Sequence, residues 1–263
     1  MDWSKAKTIF IITFFILDLF LLYQIYIQKY ENRYDLIKET SIEEQLAADN
    51  IKVKDLPDEP TKASYVEADS KQFKVEDFAK VVDQEVSISN NTQIFSVLDT
   101  PYPLGEDWKQ EDVDRFVHTN VQYGTYYVFW EHDAEKNTIT YYQTYNGKIF
   151  YENKDAQVEL QLNENNEIIS YSQTALENIQ EIKEQEIITA HDAMVVLYNK
   201  NHLKTGYEIS NVDLGYYTLV PIMSSQLLAP TWRFTINGDT DLFVNAVEGY
   251  VFQVQDRGSQ VLE

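Results

Sequence analysis

The sequence predicts an α+β protein with one N-terminal transmembrane helix and an extracytoplasmic region of two halves, each a helix followed by an antiparallel meander. Three observations indicate this class. An apolar run fills residues 9–27. After residue 122, segments rich in Tyr, Thr and Val are separated by turns that contain Asn, Gly or Asp. A segment with the apolar spacing of a helix precedes each of the two sets of strands.

Residues 8–27 form the predicted membrane span. At about 1.5 Å per residue, such a helix covers a hydrocarbon core of roughly 30 Å. The apolar run exceeds the roughly 7 to 15 residues of a signal peptide, and no small-residue cleavage site follows it, which predicts an uncleaved anchor. Residues 1–7, with Lys5 and Lys7, are predicted to be a cytoplasmic tail. The remainder of the chain would then lie outside the cell membrane.

Asp18 lies at the midpoint of this span. A carboxyl group there costs roughly 2.5 to 3.5 kcal/mol, which the surrounding Ile, Leu and Phe residues outweigh. Two interpretations stay open: the acid is merely tolerated, neutral or hydrated through a thinned bilayer, or it meets a polar group on a helix of another chain. In the second case helical spacing predicts a shared contact face. Its other members are Ile11, Phe14, Phe15, Leu21, Leu22 and Ile25.

The large region is strongly acidic. The chain carries a formal net charge of −22, and the charges of its first 28 residues cancel. Such a surface repels nucleic acid, which excludes that class of partner. The chain contains no Cys, so neither disulfides nor thiol chemistry is available. An aromatic content of 14% indicates instead a substantial core.

The region outside the membrane divides by pattern into three parts. Residues 28–60 are predicted to be a stalk and linker with a short helix that begins at the Ser41 capping box and ends near Asp49. Residues 61–180 form the first α+β half and residues 181–263 the second.

The first half has two predicted helices, a turn and a meander. The helices are Val75–Val82 and Glu106–Asn120, and the turn is Asp99–Gly105. The predicted strands are Tyr123–Trp130, Thr138–Tyr145, Lys148–Tyr151, Val158–Leu162 and Ile168–Leu176.

The second half begins with a helix that a Thr189 capping box starts and that ends near Lys200. Four strands follow it, at about Glu208–Val220, Leu228–Ile236, Asp241–Asn245 and Tyr250–Val254.

Catalytic motifs are absent from the sequence. It contains no G-x-G-x-x-G, Walker A, G-x-S-x-G or H-E-x-x-H pattern, and its four histidines lack metal-ligand spacing. Glu131, His132 and Asp133 are consecutive titratable residues, but the pattern is typical of a strand that ends in a turn. The sequence therefore predicts a non-enzyme without cofactor or metal.

Three segments resemble the YycI (WalI) regulatory proteins. They are the opening MDWSKAKTIFIITFFILDLFLLYQ, the following SIEEQLAADNIKV and the closing TWRFTINGDTDLFVNAVEGYVF. The closing segment is also similar to the end of PepSY-type modules, which are small, non-catalytic α+β domains. The YycI family has no agreed catalytic residues, so the resemblance implies none here.

The YycI resemblance implies a single-pass membrane protein of Gram-positive bacteria that associates with a YycH-like protein and a WalK (YycG)-like sensor histidine kinase. It implies a role in modulating kinase output on cell-wall metabolism, with the transmembrane helix in contact with the kinase, which would give Asp18 a function. Two alternatives stay open. One is an extracytoplasmic ligand- or peptide-binding sensor, which an apolar cleft between the halves would favour. The other is a wall-active enzyme.

Overall fold

The computed structural model describes residues 3–31, 41–54, 56–57, 61–78, 82–222 and 225–252, without the side chains of residues 4–6, 9, 25–31 and 220–222. The chain divides into two compact units, Met1–Asn50 and Ile51–Glu263. Residues 32–40, which belong to the predicted stalk, lie outside the described residues.

The first unit contains two helices, α1 (Trp3–Glu31) and α2 (Ile42–Ala48). The Ser41 hydroxyl accepts a hydrogen bond from the backbone N–H of Glu44 at 3.3 Å, which satisfies a donor that the first turn of α2 would leave unpaired. The predicted short helix and its cap are therefore confirmed.

No helix in the described part of the chain is both long enough and apolar enough to cross a membrane. The predicted span at residues 8–27 includes Ile9 and residues 25–27, whose side chains lie outside the described residues. The structure thus confirms a helix at these positions, while the membrane span stays a prediction.

The second unit contains two helices, α3 (Gln110–Asn120) and α4 (Ala190–Asn199), and a sheet of 13 described strands. The strands are β1 (Lys52–Val53), β2 (Lys62–Ser70), β3 (Gln84–Ser89), β4 (Gln93–Pro103), β5 (Tyr127–Asp133), β6 (Thr138–Tyr145), β7 (Lys148–Tyr151), β8 (Gln157–Leu162), β9 (Glu167–Gln173), β10 (Leu176–Glu186), β11 (Glu208–Ile222), β12 (Ser225–Ile236) and β13 (Thr240–Asn245).

The order of the sheet is β10-β2-β12-β11-β7-β6-β8-β9-β4-β3, with β13 beside β12, β5 beside β6 and β1 beside β11. Most pairs are antiparallel, and β11 pairs in parallel with β1 and β7. Strand β2 lies between β10 and β12, although more than 100 residues separate them in the sequence. Strands from both predicted halves are thus interleaved in the sheet, and the boundary near residue 180 stays a prediction.

Helix α3 covers the part of the sheet that contains β5, β6, β8 and β9. Its apolar positions Val113, Phe116 and Val117 are buried, as the spacing of three and four residues predicts. They share one core cluster with strand residues that alternate toward the helix. The strand members are Tyr127, Ile139, Tyr141, Val158, Leu160, Leu162, Ile168 and Tyr171.

Helix α4 starts at the predicted cap, where the Thr189 hydroxyl accepts from the backbone N–H of Asp192 at 2.9 Å. The helix buries Ala190, Ala193, Met194 and Leu197. Just before it, the backbone carbonyl of Ile188 accepts from the indole N–H of the buried Trp232 at 2.9 Å.

Two predicted elements are wrong. The segment Asp99–Gly105 is not simply a turn, because β4 continues to Pro103 across a register shift between Val97 and Tyr102 that accommodates proline in a strand. The predicted helix Val75–Val82 is a single 3-10 turn, Val75–Phe78, and residues 79–81 lie outside the described part.

The observed ends of some strands also differ from the predicted ends. Strand β5 starts only at Tyr127, because Gly124–Tyr126 forms a 3-10 turn. The predicted strand Ile168–Leu176 ends at Gln173, and Leu176 begins β10. In the described part of Tyr250–Val254, only Val251 forms a bridge, to Val244.

Candidate functional site

The predicted contact face lies on α1, one continuous helix. Ile11, Phe14, Phe15, Leu21 and Leu22 are between 49% and 69% exposed, and Asp18 is exposed among them. The spacing of three, four and seven residues keeps these positions on one side of the helix. The side chain of Ile25 lies outside the described residues. Their role as a partner interface stays a prediction.

The apolar character of α1 is not confined to the Asp18 face. Six further large apolar side chains on the other faces are between 47% and 66% exposed. Burial therefore does not distinguish one face, and Asp18 is the feature that does. The six residues are Phe10, Ile12, Ile16, Leu17, Leu19 and Phe20.

A second unusual charge, Arg233, lies inside the sheet unit. Its Nη2 atom is 2.5 Å from Oδ2 of Asp213, and its Nη1 atom is 3.8 Å from Oδ2 of Asp241. The guanidinium carbon lies 4.6 Å from the ring centre of Trp130 and 5.5 Å from that of Tyr151. Because Trp130 is on β5 and Arg233 on β12, this cluster joins two parts of the sheet.

Burial is the largest single influence on the pKa values of Tyr151 and Arg233 in this cluster. It raises the pKa of the Tyr151 hydroxyl far above its usual value, although the nearby Arg233 charge opposes the shift. Burial alone would lower the pKa of Arg233, but Tyr151 and the carboxylates of Asp213 and Asp241 reverse that effect and raise it. The arginine is therefore charged at every accessible pH, and the tyrosine is neutral at neutral pH.

A polar cleft of about 650 Å³ adjoins Arg233. It includes Glu131 and His132, which the sequence singled out with Asp133. His132 and Asp133 have separate partners, since the His132 ring packs 5.1 Å from that of Trp108 and Asp133 binds Lys136 at 2.6 Å. The Lys136 ammonium holds the pKa of Asp133 below its usual value. Among the described residues, no three His, Asp or Glu side chains are arranged to hold a metal ion.

A second cleft, which we call the tyrosine cleft, has a volume of about 580 Å³. The β6–β7 turn, the start of β10 and the turn after α3 form its walls. It is lined by Lys71, Tyr123, Tyr126, Tyr127, Gln143, Thr144, Tyr145, Asn146, Gly147, Ala175, Leu176, Glu177 and Ile179.

Sequence reasoning missed the tyrosine cleft because its residues come from four separate segments. One local signal was present, the Tyr-Gly pair at residues 123–124. Gly124 packs so closely under α3 that a Cβ atom there would lie 1.9 Å from the carbonyl oxygen of Val117. Tyr123 is in the left-handed region at φ 57°, which is unusual for a non-glycine residue and orients its ring toward the cleft.

Comparison with known proteins gives the class and then the family. The fold is that of an α+β sheet protein, and the family model described as "YycI protein" matches residues 31–247. The chain belongs to the YycI family. The match begins at the end of α1, so it does not include Asp18 or its neighbours. Among curated proteins, no significant match was found.

Several solved structures match this chain at low sequence identity. An uncharacterized protein from Eubacterium rectale ATCC 33656 is 9% identical with a TM-score of 0.48, over 79% of this chain and 92% of that one. YycH from Bacillus subtilis is 12% identical with a TM-score of 0.41, over 70% of this chain and 52% of that one. The Bacillus megaterium YpeB C-terminal domain is 14% identical with a TM-score of 0.39, over 83% of this chain and 98% of that one.

Proposed function

We propose that this protein is a non-catalytic, membrane-anchored regulator of a two-component sensor histidine kinase that controls cell-wall metabolism. Membership in the YycI family, a regulatory family, carries this proposal. In this proposal α1 anchors the protein in the membrane with its N-terminus in the cytoplasm, and the sheet unit is extracytoplasmic. The partners would be a WalK (YycG)-like kinase and a YycH-like regulator.

Two contact regions would transmit the regulation. The first is α1, whose exposed apolar side chains suit a lipid or helix neighbour and whose Asp18 would meet a polar group of another helix. The second is the surface of the acidic sheet unit. Exposing the apolar side chains of α1 to water would cost free energy, and this cost supports membrane anchoring independently of the family match.

The test is a crosslinking pull-down from membranes, followed by identification of the captured proteins. We expect the kinase and a YycH-like protein to be captured by the full chain. A variant with α1 replaced by an unrelated membrane-spanning helix should retain anchoring and lose part of the capture. Capture of neither partner, with the protein present at its normal membrane level, would contradict the proposal.

The topology has its own test. Protease added to intact, wall-stripped cells should digest the sheet unit and leave a fragment that contains α1. If the sheet unit is digested only after lysis, the proposed orientation is wrong.

The tyrosine cleft favours one second function, that of a ligand- or peptide-binding sensor. Its volume of about 580 Å³ is within the usual range of ligand sites, roughly 300 to 1,000 Å³. Such binding is compatible with kinase regulation, because the same unit could bind a ligand and contact a partner.

A further inference from the structure

The tyrosine cleft exposes aromatic rings at its entrance. The side chains of Tyr123 and Tyr126 are 41% and 57% exposed, whereas Tyr127 at the base is buried and donates from its hydroxyl to the carbonyl of Thr174 at 2.5 Å. The close packing of Gly124 under α3 fixes the turn that carries Tyr123 and Tyr126. The entrance thus has two exposed tyrosine rings on a turn whose backbone is preformed, which reduces the entropic cost of binding.

The polar side chains that line the cleft, other than its tyrosines, are already hydrogen-bonded within the protein. Thr144 donates to the carbonyl of Tyr126 at 3.0 Å, and Lys71 donates to Glu177 at 2.9 Å. Asn146 donates to Glu181 at 3.4 Å. A ligand recognised through many hydrogen bonds, such as a sugar, would have to break these contacts. The groups left for a ligand are mainly aromatic and aliphatic surfaces and the hydroxyls of the cleft tyrosines.

The side chain of Gln143 closes the base of the cleft to an added β-strand. Its amide nitrogen donates to the carbonyl of Leu176 at 3.0 Å, and its amide oxygen accepts from the N–H of Leu176 at 2.7 Å. These are the two bonds that a neighbouring strand would make with the first residue of β10. Register shifts further along β10 also interrupt its outer edge. Strand addition is therefore disfavoured here.

The charge of the surroundings restricts the ligand further. Glu181 is exposed beside the β6–β7 turn, and the whole chain has a formal net charge of −22, whereas Glu177 in the cleft is paired with Lys71. Such a surface attracts basic ligands and repels acidic ones.

We propose that the tyrosine cleft binds an extended, proline-containing segment of a partner protein that has basic residues beside the prolines. Proline rings pack against tyrosine side chains, and the polyproline II conformation loses little entropy on binding because it is already extended. A proline ring also needs no hydrogen bond from the engaged polar groups of the cleft. This inference does not depend on the proposed role in kinase regulation.

The test is a titration of the full chain with two synthetic peptides of equal length and charge. One is an octaproline flanked by lysines, and the other is a Gly-Ser repeat with the same flanks. We expect the proline peptide to bind at least about tenfold more tightly than the Gly-Ser peptide. A chitin-type oligosaccharide is titrated in parallel as the third probe.

Three variants locate the binding. Tyr126→Ala should weaken binding of the proline peptide about tenfold, the size of a typical aromatic anchor. Tyr123→Asn should do the same, and asparagine tolerates the left-handed backbone, so the turn should stay folded. Phe95→Ala is the matched control, because Phe95 is 44% exposed on β4 and is not part of the cleft, and it should bind normally.

Four results would overturn the proposal. They are equal affinity for the two peptides, no binding of the proline peptide, undiminished binding in both tyrosine variants, or binding of the oligosaccharide alone. Circular dichroism of each variant verifies that a loss of binding is not a loss of fold.

Discussion

Asp18 and Arg233 are both ionisable residues with large apolar or aromatic neighbours, but their polar partners differ. Arg233 has its partners in its own chain, two carboxylates and two aromatic rings. Within the described part of α1, no hydrogen bond or ion pair reaches the Asp18 carboxylate, and its neighbours are exposed apolar side chains. The Arg233 side chain is thus paired within the fold, and the Asp18 side chain is exposed on α1.

This difference indicates where each charge acts. A paired, largely buried charge contributes to the fold, and breaking the pair leaves uncompensated charges behind. An acid on an apolar helix contributes little to the fold of the sheet unit, and a polar group of an external partner would offset part of its cost. Substitutions at Arg233 should therefore change stability, and substitutions at Asp18 should change association.

Alkaline pH should cause the largest loss of stability, because buried tyrosine hydroxyls of the sheet unit would have to ionise away from water. Burial raises the pKa of Tyr127 and of Tyr151 far above the value of about 10 expected in the unfolded chain. Their contribution to stability is complete below pH 10 and is lost as pH rises toward the folded-state pKa values. The loss should be roughly 3 kcal/mol per pH unit for the two together. Urea unfolding at increasing pH, with tyrosinate absorbance, measures it.

The control for the alkaline effect is Tyr151→Phe. The Tyr151 hydroxyl has no hydrogen-bond partner among the described residues, so its removal should cost little at neutral pH. It should reduce the pH slope by about 1.4 kcal/mol per unit. An unchanged slope would mean that Tyr151 ionises without penalty. Burial also raises the pKa of Tyr141, and that of Tyr216 to about 12, so the Tyr151→Phe protein should keep the part of the slope that these residues and Tyr127 contribute.

Arg233→Met should lower the free energy of unfolding by about 2 to 3 kcal/mol. The substitution leaves Asp213 and Asp241 without their cation. The expected loss is smaller than for a fully buried pair because the Asp213 side chain is 41% exposed. Denaturant unfolding followed by tryptophan fluorescence measures it. Arg115→Met is the matched control, since Arg115 is 67% exposed and its pair with Asp112 should contribute less than about 1 kcal/mol. Equal losses in both variants would contradict the structural role of Arg233.

Gly215→Ala should lower stability by about 2 kcal/mol through the same cluster. A Cβ atom at Gly215 would lie 2.4 Å from the Tyr151 ring and 2.6 Å from the carbonyl oxygen of Ile149, so the ring must move away from its position near Arg233. The control is Gly147→Asn, because Gly147 lies in an open turn with φ 75°, which asparagine tolerates. A stable Gly215→Ala protein would show that Tyr151 can shift at no cost.

Asp18→Leu should have a smaller effect, and only on association. Hydrogen bonds between membrane helices contribute about 0.6 kcal/mol on average and up to about 1.7, so capture of the kinase should weaken severalfold to roughly tenfold. The unfolding of the sheet unit should not change. Leu19→Ala, off the predicted contact face, is the control. Unchanged capture and unchanged kinase output, at normal membrane levels, would mean that the acid is merely tolerated.

Asp18→Asn should have the smallest effect. If Asp18 is neutral and hydrogen-bonded, the amide can replace most of its interaction, and capture should change less than twofold. If a charge pair is required, the loss should equal that of Asp18→Leu. The two variants measured together therefore distinguish a hydrogen bond from an ion pair.

The sequence predicted well those strands whose composition is distinctive. The predicted bounds of β6 and β7, Thr138–Tyr145 and Lys148–Tyr151, agree with the structure. Their Tyr, Thr, Ile and Phe side chains suit a pleated surface, and the Asn-Gly turn between them is a strong hairpin signal. The caps of α2 and α4 were also predictable, since a capping hydroxyl is a local signal.

The sequence did not predict β2, β3, β4 or β10. Strand β10 reads LENIQEIKEQE, a polar segment, because it lies at an edge of the sheet and carries charges on its exposed side. Strand β2 buries only Ala63, Val66 and Ala68, and its other residues resemble a loop. Both gain their structure from strands distant in sequence. The tyrosine cleft was missed for the same reason.

The position of β2 has a consequence for how the protein matures. β2 is among the first strands to leave the ribosome, yet both of its neighbours, β10 and β12, are made more than 100 residues later. Strand β2 therefore stays without its native neighbours until most of the chain has been synthesised. Folding dominated by such distant pairings is slow and leaves unpaired strand backbone exposed in the meantime. We expect the sheet unit to depend on chaperones during this interval, and a chain that stops before β12 to be degraded rather than partly folded.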